Sequence, residues 1–303
     1  MIRVFYSPAY CKSEHAFDTT RKSRWIAESL SESPIASLQL TAPEPLSEEP
    51  IAAVHDVDYL RAVQTGDPRE LAESQGFRWD AGLWPMVAAS NGGVVSAVFA
   101  ALKDGVSGSL SSGLHHARRA KGAGFCTFNG LVIAAHAALD AGMKSVLILD
   151  LDAHCGGGTA SLIADEPRIW QIDVSVNGYD SYQGSDRVHL DIVEHSGDYL
   201  PTIEQRLTDA DQRALPFDLC LYNAGMDPSE DCSTGGLPGI TQELLAQRDS
   251  LVFEWCRTRK LPIAFVLAGG YVGARLDQRN LVELHRLTLS SAAAAARQGA
   301  EAE

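Results

Sequence analysis

The chain has 303 residues, 45% of them hydrophobic and 21% charged, a composition that fills a sizeable core and excludes an intrinsically disordered protein. Its formal net charge of -14 argues against nucleic acid as a partner, because phosphate binding requires clustered lysine and arginine side chains. An acidic surface of this kind either only maintains solubility or favours cationic substrates.

The amino-terminal residues 1–6 form a strand-like run and lack the apolar stretch of a signal peptide. We expect no segment to reach the roughly 18 consecutive apolar residues of a membrane span. The six cysteines form none of the C-x-x-C pairs typical of a structural zinc site or a disulfide-rich secreted domain, which indicates reduced thiols. These features predict a cytoplasmic protein without a membrane partner.

Short apolar runs then alternate with longer helical patterns, which is typical of βαβ units on a parallel sheet. The predicted strands lie at 106–112, 145–150, 170–174, 219–223 and 263–267. The predicted helices lie at 20–30, 85–102, 129–139, 241–257 and 278–296, and 41–49 and 177–186 are predicted loops. With no repeat or flexible linker, the pattern predicts one α/β domain over residues 1–303, with a frayed tail at about 297–303. Buried apolar strands favour a three-layer αβα fold around a mostly parallel sheet.

Three of the predicted strands run directly into polar or glycine-rich segments, and ligands of open parallel sheets bind beyond such strand ends. After the strand at 145–150, backbone alternation places Asp150, Asp152 and His154 on one side. Close carboxylates repel, so a bound cation is the simplest partner for them. Hydrogen bonds from neighbouring loops are the alternative.

Two further segments carry side chains suited to chemistry at a bound ion. His115 and His116 follow the small-residue strand at 106–112, and imidazoles that titrate near neutral pH can activate water. Tyr271, after Gly269 and Gly270, would bring a phenol to the same edge of the sheet. Taken alone, the histidine pair could arise by chance and the tyrosine could only pack.

Five ordered segments carry these and neighbouring residues: Gly113-Leu-His-His-Ala117, Gly124-Phe-Cys-Thr-Phe-Asn129, Asp150-Leu-Asp-Ala-His154, Ala224-Gly-Met-Asp-Pro228 and Gly269-Gly-Tyr271. In combination they resemble the histone deacetylase superfamily, which has the arginase/deacetylase fold. The resemblance covers roughly residues 50–275, with a weaker match at His55 and Tyr59-Leu60.

The resemblance implies one catalytic divalent metal ion held by Asp152, His154 and Asp227, with positions left open for water and substrate. Zn²⁺ is the first candidate, with Fe²⁺ and Mn²⁺ as alternatives, because carboxylate and imidazole ligands admit all three.

The catalytic roles implied by the family pattern fall on four neighbouring residues. His116 would act as general base and then general acid, while His115 would assist electrostatically with Asp150 as its carboxylate partner. Tyr271 would donate a hydrogen bond to the tetrahedral oxyanion.

Substrate contacts and a second cation are also implied. Phe125 matches a wall of the family's acyl-lysine tunnel, Tyr182 is a candidate for the opposite wall, and the carboxylate of Asp80 could hold substrate at the mouth. The family also binds a structural monovalent cation, K⁺ here, which would involve Asp150, Asp152, His154, Ser175 and Val176.

The sequence departs from the family pattern after the ligand histidine. Many members continue with His-Gly-Asp-Gly or His-Gly-Asn-Gly, whereas this chain has Cys155-Gly-Gly157-Gly. We therefore expect His116 to lack a carboxylate partner, and Gly157→Asp to shift the acidic limb of the pH–rate profile upward. Cys155 and Cys126 flank the metal motifs as either a redox-sensitive pair or two small buried side chains.

The combined reading predicts metal-dependent hydrolysis of an N-acyl amide: an acyl-lysine, an acetylpolyamine or a small N-acyl metabolite. The alternative within the fold is a binuclear manganese ureohydrolase of the arginase type, but Gly156 and Gly225 stand where that class has further carboxylates. The alternative from another class is a catalytically silent binder of acylated ligands. The sequence makes no prediction of oligomeric state.

Overall fold

Residues 1–301, the part of the chain that the computed structural model describes, with side chains to residue 298, contain eight β-strands and ten α-helices. The strands are β1 (Ile2–Phe5), β2 (Leu38–Thr41), β3 (Val106–Ser109), β4 (Val146–Asp150), β5 (Ile169–Ser175), β6 (Val188–Ile192), β7 (Leu219–Ala224) and β8 (Ile263–Leu267). The helices are α1 (Asp18–Glu32), α2 (Glu48–Ala52), α3 (Val57–Thr65), α4 (Arg69–Ala72), α5 (Leu83–Asp104), α6 (Gly130–Asp140), α7 (Gly157–Leu162), α8 (Ser196–Asp211), α9 (Gln242–Thr258) and α10 (Gln278–Glu301). A short 3-10 helix spans Pro8–Cys11.

The strands form one sheet in the order β2-β1-β3-β8-β7-β4-β5-β6. Every neighbouring pair is parallel, so the sheet is wholly rather than mostly parallel. Parallel strands require crossovers, and the helices between them cover both faces of the sheet. The predicted α/β fold class is confirmed.

Alternating side chains of the central strands build two separate cores. In β4, Leu147 and Leu149 pack into the core formed with α1, α8, α9 and α10, whereas Val146 and Ile148 face α3, α5 and α6. All four side chains are fully buried. Burial of each such side chain contributes about 1.5–3 kcal/mol, so the uninterrupted apolar run specifies a central strand covered on both sides.

The helix α5 corrects the expectation about membrane spans. By length and composition it could cross a membrane, yet 72% of its apolar window is buried inside the protein. It packs against α6, β3 and β8. Its many alanine, valine and glycine residues permit this close packing, so composition alone does not distinguish a core helix from a span.

The carboxyl-terminal helix α10 runs to Glu301. The predicted frayed tail at 297–303 overlaps it, and residues 302 and 303 of that tail lie outside the described residues.

The strand order positions the chemistry-bearing segments. β3, β8, β7, β4 and β5 are consecutive in the sheet, and all point the same way. Their carboxyl ends therefore lie side by side at one edge, where ligands of open parallel sheets bind. The segments that follow these five strands meet there.

Candidate metal centre and active site

Asp152 and His154 after β4 meet Asp227 after β7 at this edge. One ligand atom from each residue lies within 4.8 Å of the other two, and all three residues are buried. Nδ1 of His154 lies 3.2 Å from Asp152 Oδ1 and 3.1 Å from Asp227 Oδ2. Convergent oxygen and nitrogen donors of this kind match the ligand set of a catalytic divalent ion.

The electrostatics of this group fit a cation. Oδ2 of Asp227 is buried, and although His154 Nδ1 lies 3.1 Å away, no donor among the described residues forms a hydrogen bond to it. Burial and the charge of Asp152 raise the pKa of Asp227, while the two carboxylates raise the pKa of His154 to about 10 despite its burial. A positive charge at this point is therefore favoured, and a divalent ion would supply it.

Backbone packing disfavours a second ion beside the first. A Cβ at Gly225 would lie 2.5 Å from Cα of Asp152, and one at Gly156 would lie 2.6 Å from Asp150 Oδ2. Contacts this short leave no room for the additional carboxylates of a binuclear ureohydrolase.

His115 forms a buried pair with Asp150. Its Nδ1 donates to Asp150 Oδ2 at 2.8 Å, and Asn223 Nδ2 donates to Oδ1 of the same carboxylate at 2.8 Å. Burial opposes the imidazolium, but the carboxylates of Asp150 and Asp152 raise the pKa of His115 to about 10. The geometry suits a histidine that stays positively charged beside the cleft.

His116 also has a carboxylate partner, which corrects the sequence expectation. Its Nδ1 donates to Oδ2 of Asp180, in the loop after β5, at 2.9 Å. Burial, followed by the charge of His115, lowers the pKa of His116 to about 4. The two adjacent histidines are therefore shifted in opposite directions: the pKa of His116 is lowered, which favours an imidazole able to accept a proton, whereas the pKa of His115 is raised by its carboxylate neighbours.

Gly157 makes room for this partner. A Cβ there would lie 2.2 Å from the main-chain oxygen of Asp180 and 2.7 Å from its Oδ1. Gly157→Asp would therefore displace the existing carboxylate rather than add a missing one, so the expected upward shift of the pH–rate profile no longer follows.

We expect Gly157→Ala to lower the free energy of unfolding by about 1–3 kcal/mol, as overpacking does, and to lower turnover by moving Asp180. The matched control is Gly178→Ala, in the loop that carries Asp180. There the nearest atom, Ile192 Cδ1, lies 3.9 Å from the added Cβ. Urea unfolding and steady-state kinetics on both variants test this. Equal behaviour of the two variants would contradict the close approach at Gly157.

Tyr271 borders the same narrow cleft as His115, His116 and Asp152. Among the described residues its hydroxyl has no hydrogen-bond partner, so the phenol is free to donate to a ligand. The preceding Gly269 donates its N–H to Asp152 Oδ2 at 2.7 Å, and a Cβ there would lie 2.0 Å from Asp227 Oδ2. The glycine thus lets the tyrosine segment lie directly against the ligands.

Comparison with known proteins agrees with this geometry. A model of the histone deacetylase domain matches residues 15–286. The chain belongs to the histone deacetylase domain family. It is similar to an uncharacterized protein of Picosynechococcus sp., with 31% identity over 88% of this chain and 91% of that protein. It is also similar to histone deacetylase 2 of Arabidopsis thaliana, with 25% identity over 94% and 79% of the two chains. The HD domain of HDA15 has the same fold, with a TM-score of 0.80 at 19% identity over 98% and 92% of the two chains.

His55 and Tyr59, the weaker match to the family near the start of the chain, hold the histidine segment in place through hydrogen bonds. Nδ1 of His55 donates to Arg118 O at 2.9 Å, and its Nε2 accepts from Asn129 N at 2.9 Å. The hydroxyl of Tyr59 donates to Thr127 O at 2.7 Å. These bonds tie α3 and the segment just before it, which carries His55, to the loop that carries His116 and Phe125.

Phe125 lies beside Tyr271, and its predicted place in a tunnel wall stays a prediction. Its ring stacks on Phe17 with centroids 4.2 Å apart and lies 6.2 Å from the ring of Tyr271. Phe17 is 44% exposed, so the two stacked rings reach from Tyr271 to the protein surface.

The tyrosine that lies against the histidines of the site is Tyr179, not the predicted Tyr182. The Tyr179 ring lies edge-on to His116 at 5.0 Å and to His154 at 6.0 Å. The hydroxyl of Tyr182 instead donates to Asp173 Oδ2 at 3.1 Å and His189 O at 3.3 Å, away from the cleft.

The prediction that Asp80 holds substrate is wrong, because both oxygens of its carboxylate accept hydrogen bonds from within the protein. Oδ2 accepts from Ser13 Oγ at 2.8 Å and Glu14 N at 2.9 Å, while Oδ1 accepts from Gly82 N at 2.6 Å. It ties the amino-terminal segment to the start of α5, which is a structural use of a carboxylate predicted to hold substrate.

The predicted monovalent-cation segment contains an additional carboxylate. Ser175 Oγ donates to Asp173 Oδ1 at 2.5 Å, and burial together with Asp150 raises the pKa of Asp173. Val176 and the ligand segment are joined by a bond from Val176 N to Ala153 O at 3.0 Å. Hydroxyl and carboxylate oxygens suit a hard cation, and the K⁺ site stays a prediction.

Lys22 is a residue near the site that sequence reasoning missed. It is fully buried, and its Nζ donates to Ser112 Oγ at 2.9 Å, to Thr19 Oγ1 at 3.2 Å and to Ala268 O. Burial lowers its pKa to about 7 although Asp227 and Asp152 oppose the shift. Within a helical pattern, no sequence signal distinguishes this lysine from a surface one.

Cys126 and Cys155 are free and buried, and burial raises the pKa of both thiols. Each Sγ donates to a main-chain oxygen, of Gly124 and Asn177 respectively. These contacts favour small buried side chains over a reactive pair.

Proposed function

We propose that this chain hydrolyses N-acyl amides with the help of one divalent metal ion. The observation that carries the proposal is the convergence of Asp152, His154 and Asp227 beside a cleft that His116 and Tyr271 also border. A metal-ligand group, an imidazole held by a carboxylate and a phenol that borders the cleft are the three parts that amide hydrolysis by activated water requires.

Zn²⁺ is the first candidate for the ion, with Fe²⁺ and Mn²⁺ as alternatives. When bound, the ion would polarise the acyl carbonyl and lower the pKa of water. Asp152, His154 and Asp227 would hold it.

The remaining chemistry belongs to the side chains. As the water oxygen forms its bond to the acyl carbon, Nε2 of His116 takes the water proton. Tyr271 donates a hydrogen bond from its hydroxyl to the developing oxyanion, and His115, paired with Asp150, adds favourable electrostatics. His116 then gives its proton to the amide nitrogen as the C–N bond breaks, which yields a free amine and a carboxylic acid.

The substrate classes are acyl-lysine, acetylpolyamine and small N-acyl metabolites. The aromatic rings of Phe125, beside Tyr271, and of Tyr179, beside His116, suit a slender aliphatic amide. The formal net charge of -14 mildly favours polyamines, whose remaining amines are cationic.

Two other functions fit less well. A binuclear ureohydrolase needs carboxylates for which Gly156 and Gly225 leave no space. A silent binder of acylated ligands has no use for a phenol at the cleft or for a histidine with a carboxylate partner, yet this chain has both.

The test is hydrolysis by metal-reconstituted protein of a panel of acyl-lysine peptides, acetylpolyamines and longer-chain acyl amides, measured as released amine. We expect turnover on at least one class, lost on chelation and restored by the ion. Urea release from guanidino substrates would support the ureohydrolase instead. Tight binding of acylated ligands with no turnover across the panel would support the silent binder.

A further inference from the structure

We propose that Asp180 is the positioning residue for His116, supplying from the loop between β5 and β6 the carboxylate that many family members carry at the position of Gly157. The inference rests on the proposed amide hydrolysis, in which His116 transfers the proton. It assigns a role to a residue outside every motif that the family resemblance covers.

The contact determines how the imidazole is presented. Asp180 has a side chain only 10% exposed, and its Oδ2 accepts from His116 Nδ1 at 2.9 Å and from Gly158 N at 3.2 Å. A proton held on Nδ1 leaves the lone pair of Nε2 free, and Nε2 is the atom that must take a proton from water. The bond therefore selects the productive tautomer and fixes the ring.

Arg118 holds the carboxylate in turn. Its guanidinium donates to Asp180 Oδ1 and, at 3.1 Å, to the main-chain oxygen of Gly157. Both oxygens of Asp180 are thus engaged, and the same arginine joins the loop to the start of α7. A carboxylate with every oxygen oriented holds its histidine more rigidly than one that is free to rotate.

Asp180 and a side chain at position 157 exclude each other. The space for a Cβ at Gly157 is filled by the main chain and carboxylate of Asp180. Asp180 reaches that space with a φ of 59°, in the left-handed region that aspartate tolerates better than most residues. The chain has therefore exchanged a carboxylate on α7 for one from the neighbouring loop at the same point beside His116.

A purely structural role would leave the imidazole unaffected. In that case Asp180 would only tie its loop to Gly158 and Arg118, and its loss would lower stability without changing the His116 tautomer. The two roles separate in measurements on the ring itself.

The experiment compares zinc-loaded wild type with Asp180→Ala, Asp180→Asn and Arg118→Met, each labelled with ¹⁵N-histidine, by NMR and by steady-state kinetics. His116→Ala identifies the His116 signals among the nine histidines. Gly178→Ala is the control for changes in the loop, because its added Cβ would meet only Ile192 Cδ1, at 3.9 Å.

We expect a hydrogen-bonded Nδ1–H signal of His116 in wild type, in Arg118→Met and in Asp180→Asn, whose amide oxygen still accepts. Asp180→Ala should lose that signal and about 10- to 100-fold in kcat with KM little changed, and Asp180→Asn should lose less. An Nε2–H tautomer in wild type, or a folded Asp180→Ala with unchanged kcat, would overturn the proposal.

If Asp180→Ala does not fold, the proposal is still tested by the His116 tautomer in wild type and by kcat of Asp180→Asn. An Nε2–H tautomer or an unchanged kcat would overturn it. An Nδ1–H signal in a wild-type protein that hydrolyses no acyl amide would overturn the proposed function and leave the contact standing.

Discussion

Replacing Asp227 with alanine is expected to abolish both ion binding and hydrolysis. Asp227 is the ligand from a second strand end, and its buried Oδ2 has no other partner among the described residues. Without it, only Asp152 and His154 remain, both from one segment. Metal content of the purified variant and its turnover on the best acyl substrate measure the effect.

The matched control is Asp231→Ala, an exposed carboxylate in the same loop. Adding the ion at about 100 times its Kd should raise the free energy of unfolding of wild type and control by about 2.7 kcal/mol. The same addition should leave Asp227→Ala unchanged. Stoichiometric ion binding by Asp227→Ala would contradict the assignment of the ligands.

Tyr271→Phe is expected to lower kcat by about 10²- to 10³-fold, roughly 3 to 4 kcal/mol, with metal content and substrate binding retained. The phenol donates more strongly to the developing oxyanion than to the planar amide, so its loss raises the barrier more than it weakens binding. Single-turnover rates, metal content and melting temperature measured on one sample separate these effects.

Tyr182→Phe serves as the control, because its hydroxyl bonds to Asp173 and His189 O rather than facing the cleft. This variant should lose about 1 kcal/mol of stability and keep its turnover within about threefold of wild type. A Tyr271→Phe rate within the same threefold range would rule out the oxyanion role.

The central strands could be predicted closely from sequence, because burial on both faces demands an uninterrupted apolar run. The predicted strand at 263–267 coincides with β8. Those at 145–150 and 219–223 differ from the observed strands by one residue at one end, and that at 170–174 differs by one residue at each end. The edge strands β2 and β6 were missed, since they lie half-exposed and carry polar residues.

The metal group could be predicted because its residues follow apolar strands directly, and register then brings them together. Tyr179 and Asp180 follow β5 in the same way, so the strand-end rule could have found them. The conformation of the loop could not be predicted, because it depends on a left-handed residue at 180 and on the absence of a side chain at Gly157. The contact between Asp180 and His116 therefore depends on how two distant segments pack in the fold, which a local sequence pattern does not show.

The most direct test of the account is a titration of metal-free protein with Zn²⁺ while hydrolysis of an acyl-lysine peptide or acetylpolyamine is followed. The account predicts no hydrolysis without the ion and a linear rise to a plateau at one equivalent per chain. Full activity of the metal-free protein, or a plateau reached only at two equivalents, would contradict a single catalytic ion held by Asp152, His154 and Asp227.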